Sequence, residues 1–126
     1  MIYGIGADLV EPARVATLLE RYGERFPRRV LSTAEWPAYR AAARRDLFLA
    51  GRFAAKEAFS KALGTGLRQP VTLGAISVLP DVLGKPSLSF APALERLLRE
   101  RGIVGHHLTL SHERSLACAF VVLEKP

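Results

Sequence analysis

The sequence predicts an α+β fold, a small antiparallel sheet packed with helices of which one is long. Three observations lead there. Residues Ile2 to Val10 (IYGIGADLV) alternate small and apolar positions and suit a buried first strand, with Gly4 and Gly6 marking close backbone approach. A helical block follows through Leu63, and the chain then ends in strand-like runs with one short helix among them. Strands joined by tight turns favour antiparallel pairing over a parallel βαβ array.

Each element has a local cause. Pro12 fits the first turn of a helix, with Glu11 near its positive end, and the helix is expected to run to Tyr22. Val15, Leu18 and Leu19 share one face of it, while Arg14 and Arg21 share one side. Ser32 with Glu35 three residues on is a capping box, predicting a helix through Ala43. Asp46 is the expected cap of a long helix over Leu47 to Leu63, stopped by Gly64. Val71 to Leu79 reads as a strand, Asp81 to Pro86 as a turn, and Ser87 to Phe90 as its partner strand. Pro92 opens a helix to about Arg101, closed by Gly102, and His107 to Ser111 and Leu116 to Leu123 are the last strands. The run LACAFVVL is apolar on both faces and must be covered on both, which points to an oligomer.

The 126 residues suffice for one domain spanning 1–126, and 49% hydrophobic with 24% charged residues is a globular balance. Cys118 is the only cysteine, so no intrachain disulfide or cysteine-based zinc cluster is possible, and a reduced, cytoplasmic setting is expected. Neither a signal peptide nor a membrane span is visible, so a soluble protein is expected. A net charge of +6, with most of the basic residues arginine, favours an anionic partner: nucleic acid, a phosphate-rich cofactor or an acidic protein. A non-enzymatic nucleic-acid-binding module is the alternative reading. It lacks an aromatic single-strand platform and a helix-turn-helix.

On the long helix, Phe53, Glu57 and Lys61 form one stripe beside the small residues Ala54, Ala55, Ala58 and Ala62. By spacing alone Glu57 and Lys61 make an ordinary surface ion pair, worth about 0.2–0.5 kcal/mol, and Lys56 is a solvated lysine. Asp8 ends the first strand. It either caps the following helix or joins Glu57 as an oxygen ligand of a hard cation. His112, in LSHERS, is either a locally bonded turn histidine or a phosphate ligand or proton carrier. Neither common nucleotide-loop fingerprint is present.

Three segments taken in order are more specific than any one. IYGIGADLVEPARV, FLAGRFAAKEAFSKALGTG and LTLSHERSLACAFVVLE together resemble the holo-acyl-carrier-protein synthases, the short type of 4′-phosphopantetheinyl transferase. The resemblance implies transfer of the phosphopantetheine arm of coenzyme A to a serine of apo acyl carrier protein, releasing adenosine 3′,5′-bisphosphate. It implies a homotrimer of small α+β subunits with active sites between them. Asp8 and Glu57 would hold Mg²⁺ against the pyrophosphate. Lys61 would stabilise phosphate oxygens or protonate the leaving group, and Arg52, Lys56 and His112 would contact coenzyme A phosphates. The serine proton would go to Glu57, to a metal-bound water or to Glu113, with Glu57 favoured. Arg14, Leu18, Arg21, Arg25 and Phe26 would form an arginine-rimmed apolar patch for the acidic carrier.

Overall fold

A computed structural model describes residues Met1–Pro126. Its strands are β1 (Ile2–Val10), β2 (Ile76–Pro80), β3 (Pro86–Phe90), β4 (Gly105–His112) and β5 (Ala117–Glu124). Its helices are α1 (Pro12–Tyr22), α2 (Arg25–Val30), α3 (Trp36–Ala41), α4 (Arg45–Leu63) and α5 (Pro92–Glu100). The fold is α+β, but its strands form two antiparallel sheets: a three-stranded one in the order β1-β5-β4 and the hairpin β2-β3. No helix is long and apolar enough to cross a membrane.

Most elements lie where local chemistry puts them, with Pro12 and Pro92 in the first turns of α1 and α5. Gly64 closes α4 in the left-handed region, φ 85°, and its N–H donates to the Ser60 and Lys61 carbonyls. Asp46 does not cap α4. The helix starts at Arg45, and Asp46 sits in its first turn, where its carboxylate accepts from the Arg44 guanidinium at 2.8 and 3.1 Å. The expected Ser32–Ala43 helix is a 3₁₀ turn, Thr33–Glu35, followed by α3. The capping box forms, and the Ser32 N–H donates to Glu35 Oε1 at 2.8 Å. The expected strand from Val71 begins only at Ile76, because Leu73–Ala75 is a 3₁₀ turn and the Leu73 carbonyl accepts a side-chain donor from α4. Helix α2, interrupted in sequence by Pro27, has no periodic signature and was not expected.

Helix α4 lies across the inner face of the three-stranded sheet. Ala54, Ala55, Ala58, Phe59, Ala62 and Leu63 pack on Ala119, Val121 and Leu123 of β5 and on the hairpin and α5. A second, smaller core beneath α1 to α3 gathers Val15, Val30, Leu31, Tyr39, Leu49, Ala50 and Ala117. The helix meets β1 backbone to backbone. A Cβ on Gly4 would lie 2.0 Å from the Ala62 carbonyl oxygen, and one on Gly6 would lie 2.0 Å from that of Ala58.

The other face of β1-β5-β4 is uncovered in the single chain. Ile5 and Leu9 are 57% and 62% exposed, and Phe120 is 40% exposed. Strand β5 therefore has one covered face and one open apolar face, whereas its two-sided apolar composition calls for cover on both.

Gly6→Ala tests the β1–α4 contact. It is expected to cost about 1–3 kcal/mol, the usual range for overpacking, read from the denaturant midpoint. Gly51→Ala on the same helix, where a Cβ meets nothing within 4 Å, is expected to be neutral or stabilising.

Candidate active site

The Gly6–Ala58 contact aligns what lies next to it on each element. Asp8, two residues on from Gly6, shares the inner face of β1, while Glu57 and Lys61 flank Ala58 and Ala62 on α4. Lys61 does not pair with Glu57. Its Nζ donates to Asp8 Oδ1 at 3.0 Å and to the Ala7 carbonyl at 3.0 Å. The Asp8 side chain is 17% exposed and that of Lys61 is 53% exposed, so the pair runs from the half-buried strand out to solvent beside a cleft. Asp8 and Glu57 line that cleft, of about 290 Å³, with Leu9, Val10, Arg14, Val15, Leu18, Phe26 and Phe53.

Burial pushes the Glu57 carboxyl above the ordinary range, the nearby Asp8 carboxylate pushes it further, and Lys61 partly opposes both. A half-buried carboxyl pushed toward its neutral form beside a second carboxylate suits a shared cation. The donor set is oxygen only, and no group of three His, Cys, Asp or Glu side chains that could enclose a metal exists in the chain. Such a pair fits a hard divalent cation that completes its shell with water and substrate phosphates. Asp8 does not act as a helix cap: α1 begins at Pro12 with Glu11 at the cap position.

Arg52 and His112 lie elsewhere. They line a second cleft, of about 300 Å³, with Arg44, Phe48, Gly51, Ser111 and Cys118, and no residue is common to the two clefts. At roughly 100° per residue, Phe53 and Glu57 are a quarter-turn or more around α4 from Phe48 and Arg52. The Arg52 Cζ sits 4.0 Å over the Phe48 ring, and Nη2 donates to the Val78 carbonyl at 3.2 Å. Arg44, at the α4 start, joins this cleft although no motif singled it out. Glu113 is exposed in the β4–β5 turn and lines neither cleft.

Lys56 corrects the sequence-based expectation. It is neither solvated nor open to a phosphate. Its side chain is fully buried, and Nζ donates to Glu35 Oε1 at 2.5 Å, to the Val30 carbonyl at 2.6 Å and to the Leu73 carbonyl at 2.9 Å. All three of its protons are used inside the protein. Burial lowers its pKa, with Glu35 opposing. Removing one partner of such a pair strands a buried charge, a loss of about 3–5 kcal/mol.

The five residues expected to form a docking patch divide in two. Arg14, Leu18 and Phe26 line the carboxylate cleft itself. Arg21 and Arg25 lie outside it, with their guanidinium carbons 5.4 and 5.7 Å from the Tyr22 ring centre. The patch therefore begins at the carboxylates and runs along α1 into α2.

Comparison with known proteins places this geometry. Residues 4–121 match the family model of the 4′-phosphopantetheinyl transferase superfamily, and the chain belongs to that family. The holo-acyl-carrier-protein synthase of Nitrosomonas eutropha is 62% identical over 125 residues, covering 99% of this chain and 100% of that protein. The crystal structure of the holo-acyl-carrier-protein synthase from Neisseria meningitidis superposes with a TM-score of 0.96. It is 44% identical, and the match covers 99% of this chain and 100% of that one. The synthase of Bacillus anthracis, solved in complex with coenzyme A (3′,5′-ADP), has a TM-score of 0.83 at 38% identity, covering 100% of this chain and 99% of that chain. These comparisons give the nucleic-acid-binding alternative no support.

Proposed function

We propose that this chain is a holo-acyl-carrier-protein synthase. It transfers the 4′-phosphopantetheine group of coenzyme A to a serine of apo acyl carrier protein. The observation that carries this is the Asp8–Glu57 pair in a cleft continuous with Arg14, Leu18 and Phe26. An acid pair able to hold a phosphate-binding cation, beside a cationic, apolar docking surface, is what joining a pyrophosphate donor to an acidic protein requires. The serine oxygen forms a bond to the β-phosphorus, and the bond from that phosphorus to the bridging oxygen breaks. Adenosine 3′,5′-bisphosphate leaves.

The site fits Mg²⁺, held by Asp8 and Glu57. When bound, the ion supplies charge neutralisation on the pyrophosphate and on the leaving oxygen. Lys61, held beside the cleft by Asp8 and more than half exposed, reaches phosphate oxygens and stands ready to donate a proton to the leaving group. Glu57 is the acceptor best placed for the serine proton, since it lies in the cleft and Glu113 does not.

Arg52 and His112 serve the phosphates of coenzyme A from the second cleft. Because the two clefts of one chain are separate, we infer that a homotrimer brings the second cleft of one protomer against the carboxylates of its neighbour. The open apolar face at Ile5, Leu9 and Phe120 is the surface available for that assembly.

Three measurements check these roles. Incubation with coenzyme A, Mg²⁺ and apo carrier is expected to add the phosphopantetheine mass to the carrier, and Asp8→Asn to lower kcat/KM by about 10³-fold. No mass increment across several carriers would sink the reading. Arg14→Glu is expected to raise KM for the carrier while leaving that for coenzyme A nearly unchanged, and equal effects on both would remove Arg14 from docking. Phe120→Lys is expected to turn a three-chain particle into single chains by light scattering, with activity lost. A wild-type particle of one chain contradicts the shared site.

A further inference from the structure

The interior behind the second cleft holds a charged cluster that the transfer mechanism does not use. Glu35 is fully buried between the 3₁₀ turn, α4 and β2. Its Oε1 accepts from the Ser32 N–H at 2.8 Å and from Lys56 Nζ at 2.5 Å. Its Oε2 accepts from the Val78 N–H at 2.9 Å and lies 3.7 Å from Arg52 Nε. That Nε is buried and has no hydrogen-bond partner. The cluster therefore holds two cations and one carboxylate. Lys56 is spent entirely on internal acceptors, two of them main-chain carbonyls, and it neutralises Glu35 at hydrogen-bond distance. The surplus positive charge falls on Arg52, the only one of the three that reaches the cleft.

The arrangement fixes Arg52 on three sides. Phe48 lies under the guanidinium plane, the Val78 carbonyl takes one Nη2 proton, and Glu35 Oε2 faces the Nε edge. Val78 is held in turn by Glu35, which accepts its N–H, so one carboxylate sets both the guanidinium and its main-chain acceptor. Neighbouring Arg44 is not a substitute, since its guanidinium is turned to Asp46. We infer that Glu35, charge-balanced by Lys56, is a positioning residue for coenzyme A binding. It locks Arg52 so that the free edge of the guanidinium meets a phosphate of the donor. This rests on the reading of Arg52 as a phosphate contact. A guanidinium held in one geometry loses less freedom on meeting a phosphate than a mobile one.

The test compares steady-state constants for coenzyme A and for carrier in four proteins: wild type, Arg52→Ala, Glu35→Gln/Lys56→Met, and the triple combination. The double variant removes the buried Glu35–Lys56 pair together, so neither of these two charges is left without the other. Arg52→Ala is expected to raise KM for coenzyme A about tenfold, as for the loss of one charged hydrogen bond. The double variant is expected to raise it comparably, with the carrier KM unchanged and no further rise in the triple combination. If Arg52→Ala leaves the coenzyme A KM unchanged, the phosphate reading fails and the positioning role fails with it. If Arg52→Ala raises KM but the double variant only lowers the melting temperature, the positioning role alone is overturned. Should the double variant not fold, Arg52→Lys decides. It keeps a charge but cannot present an Nε edge to Glu35, so a KM rise close to that of Arg52→Ala supports the inference and a wild-type KM overturns it.

Discussion

Everything at the carboxylate cleft depends on how closely α4 can lie on β1. Two glycines on the strand face two alanines on the helix, and no side chain separates the backbones at Gly4 and Gly6. A helix resting on ordinary strand residues would stand off by the depth of a side chain. Here the distance is set by main-chain atoms, which cannot give way by changing rotamer. Asp8 then meets Lys61 and electrostatically opposes Glu57, although Asp8 and Lys61 are 53 residues apart in sequence. The contact brings three ordinary surface residue types into one charged site.

The same helix assigns opposite fates to its two lysines. Lys61 stands beside the cleft with solvent around it, and Lys56 is wholly inside with three acceptors. Five residues of helix rotate one side chain by more than a third of a turn relative to the other. That rotation carries Lys56 toward the Ser32–Glu35 turn and leaves Lys61 over β1. Buried polar groups of this kind are stabilised by the partners they find. Glu35 accepts donors from Ser32, from Lys56 on α4 and from Val78 on β2, so one carboxylate ties three segments together.

Much of this was legible in sequence, for reasons that can be named. The alternation in Ile2–Val10, prolines at helix starts and Gly64 at a helix end act locally, and the structure follows them. The capping box at Ser32 and Glu35 was read correctly, yet its larger role was not. The signal describes a bond three residues long, whereas Glu35 also reaches Lys56 and Val78 far along the chain. Lys56 was misread because a lysine beside alanines resembles a solvated face until its buried acceptor is known. The strand expected from Val71 failed because Val71 enters the core from a loop, which alternation cannot distinguish from a strand. Separation of the Asp8–Glu57 and Arg52–His112 clefts is a three-dimensional fact about one helix in its surroundings, which motif order does not carry.

The account stands or falls on the cation site between Asp8 and Glu57. A crystal structure grown with coenzyme A and Mn²⁺, a Mg²⁺ substitute visible by anomalous scattering, tests it most directly. The account predicts an anomalous peak within bonding distance of one oxygen from each carboxylate, with Lys61 turned from Asp8 to a pyrophosphate oxygen. A peak that touches only one of the two, or a Lys61 still held on Asp8 with the donor bound, would contradict it.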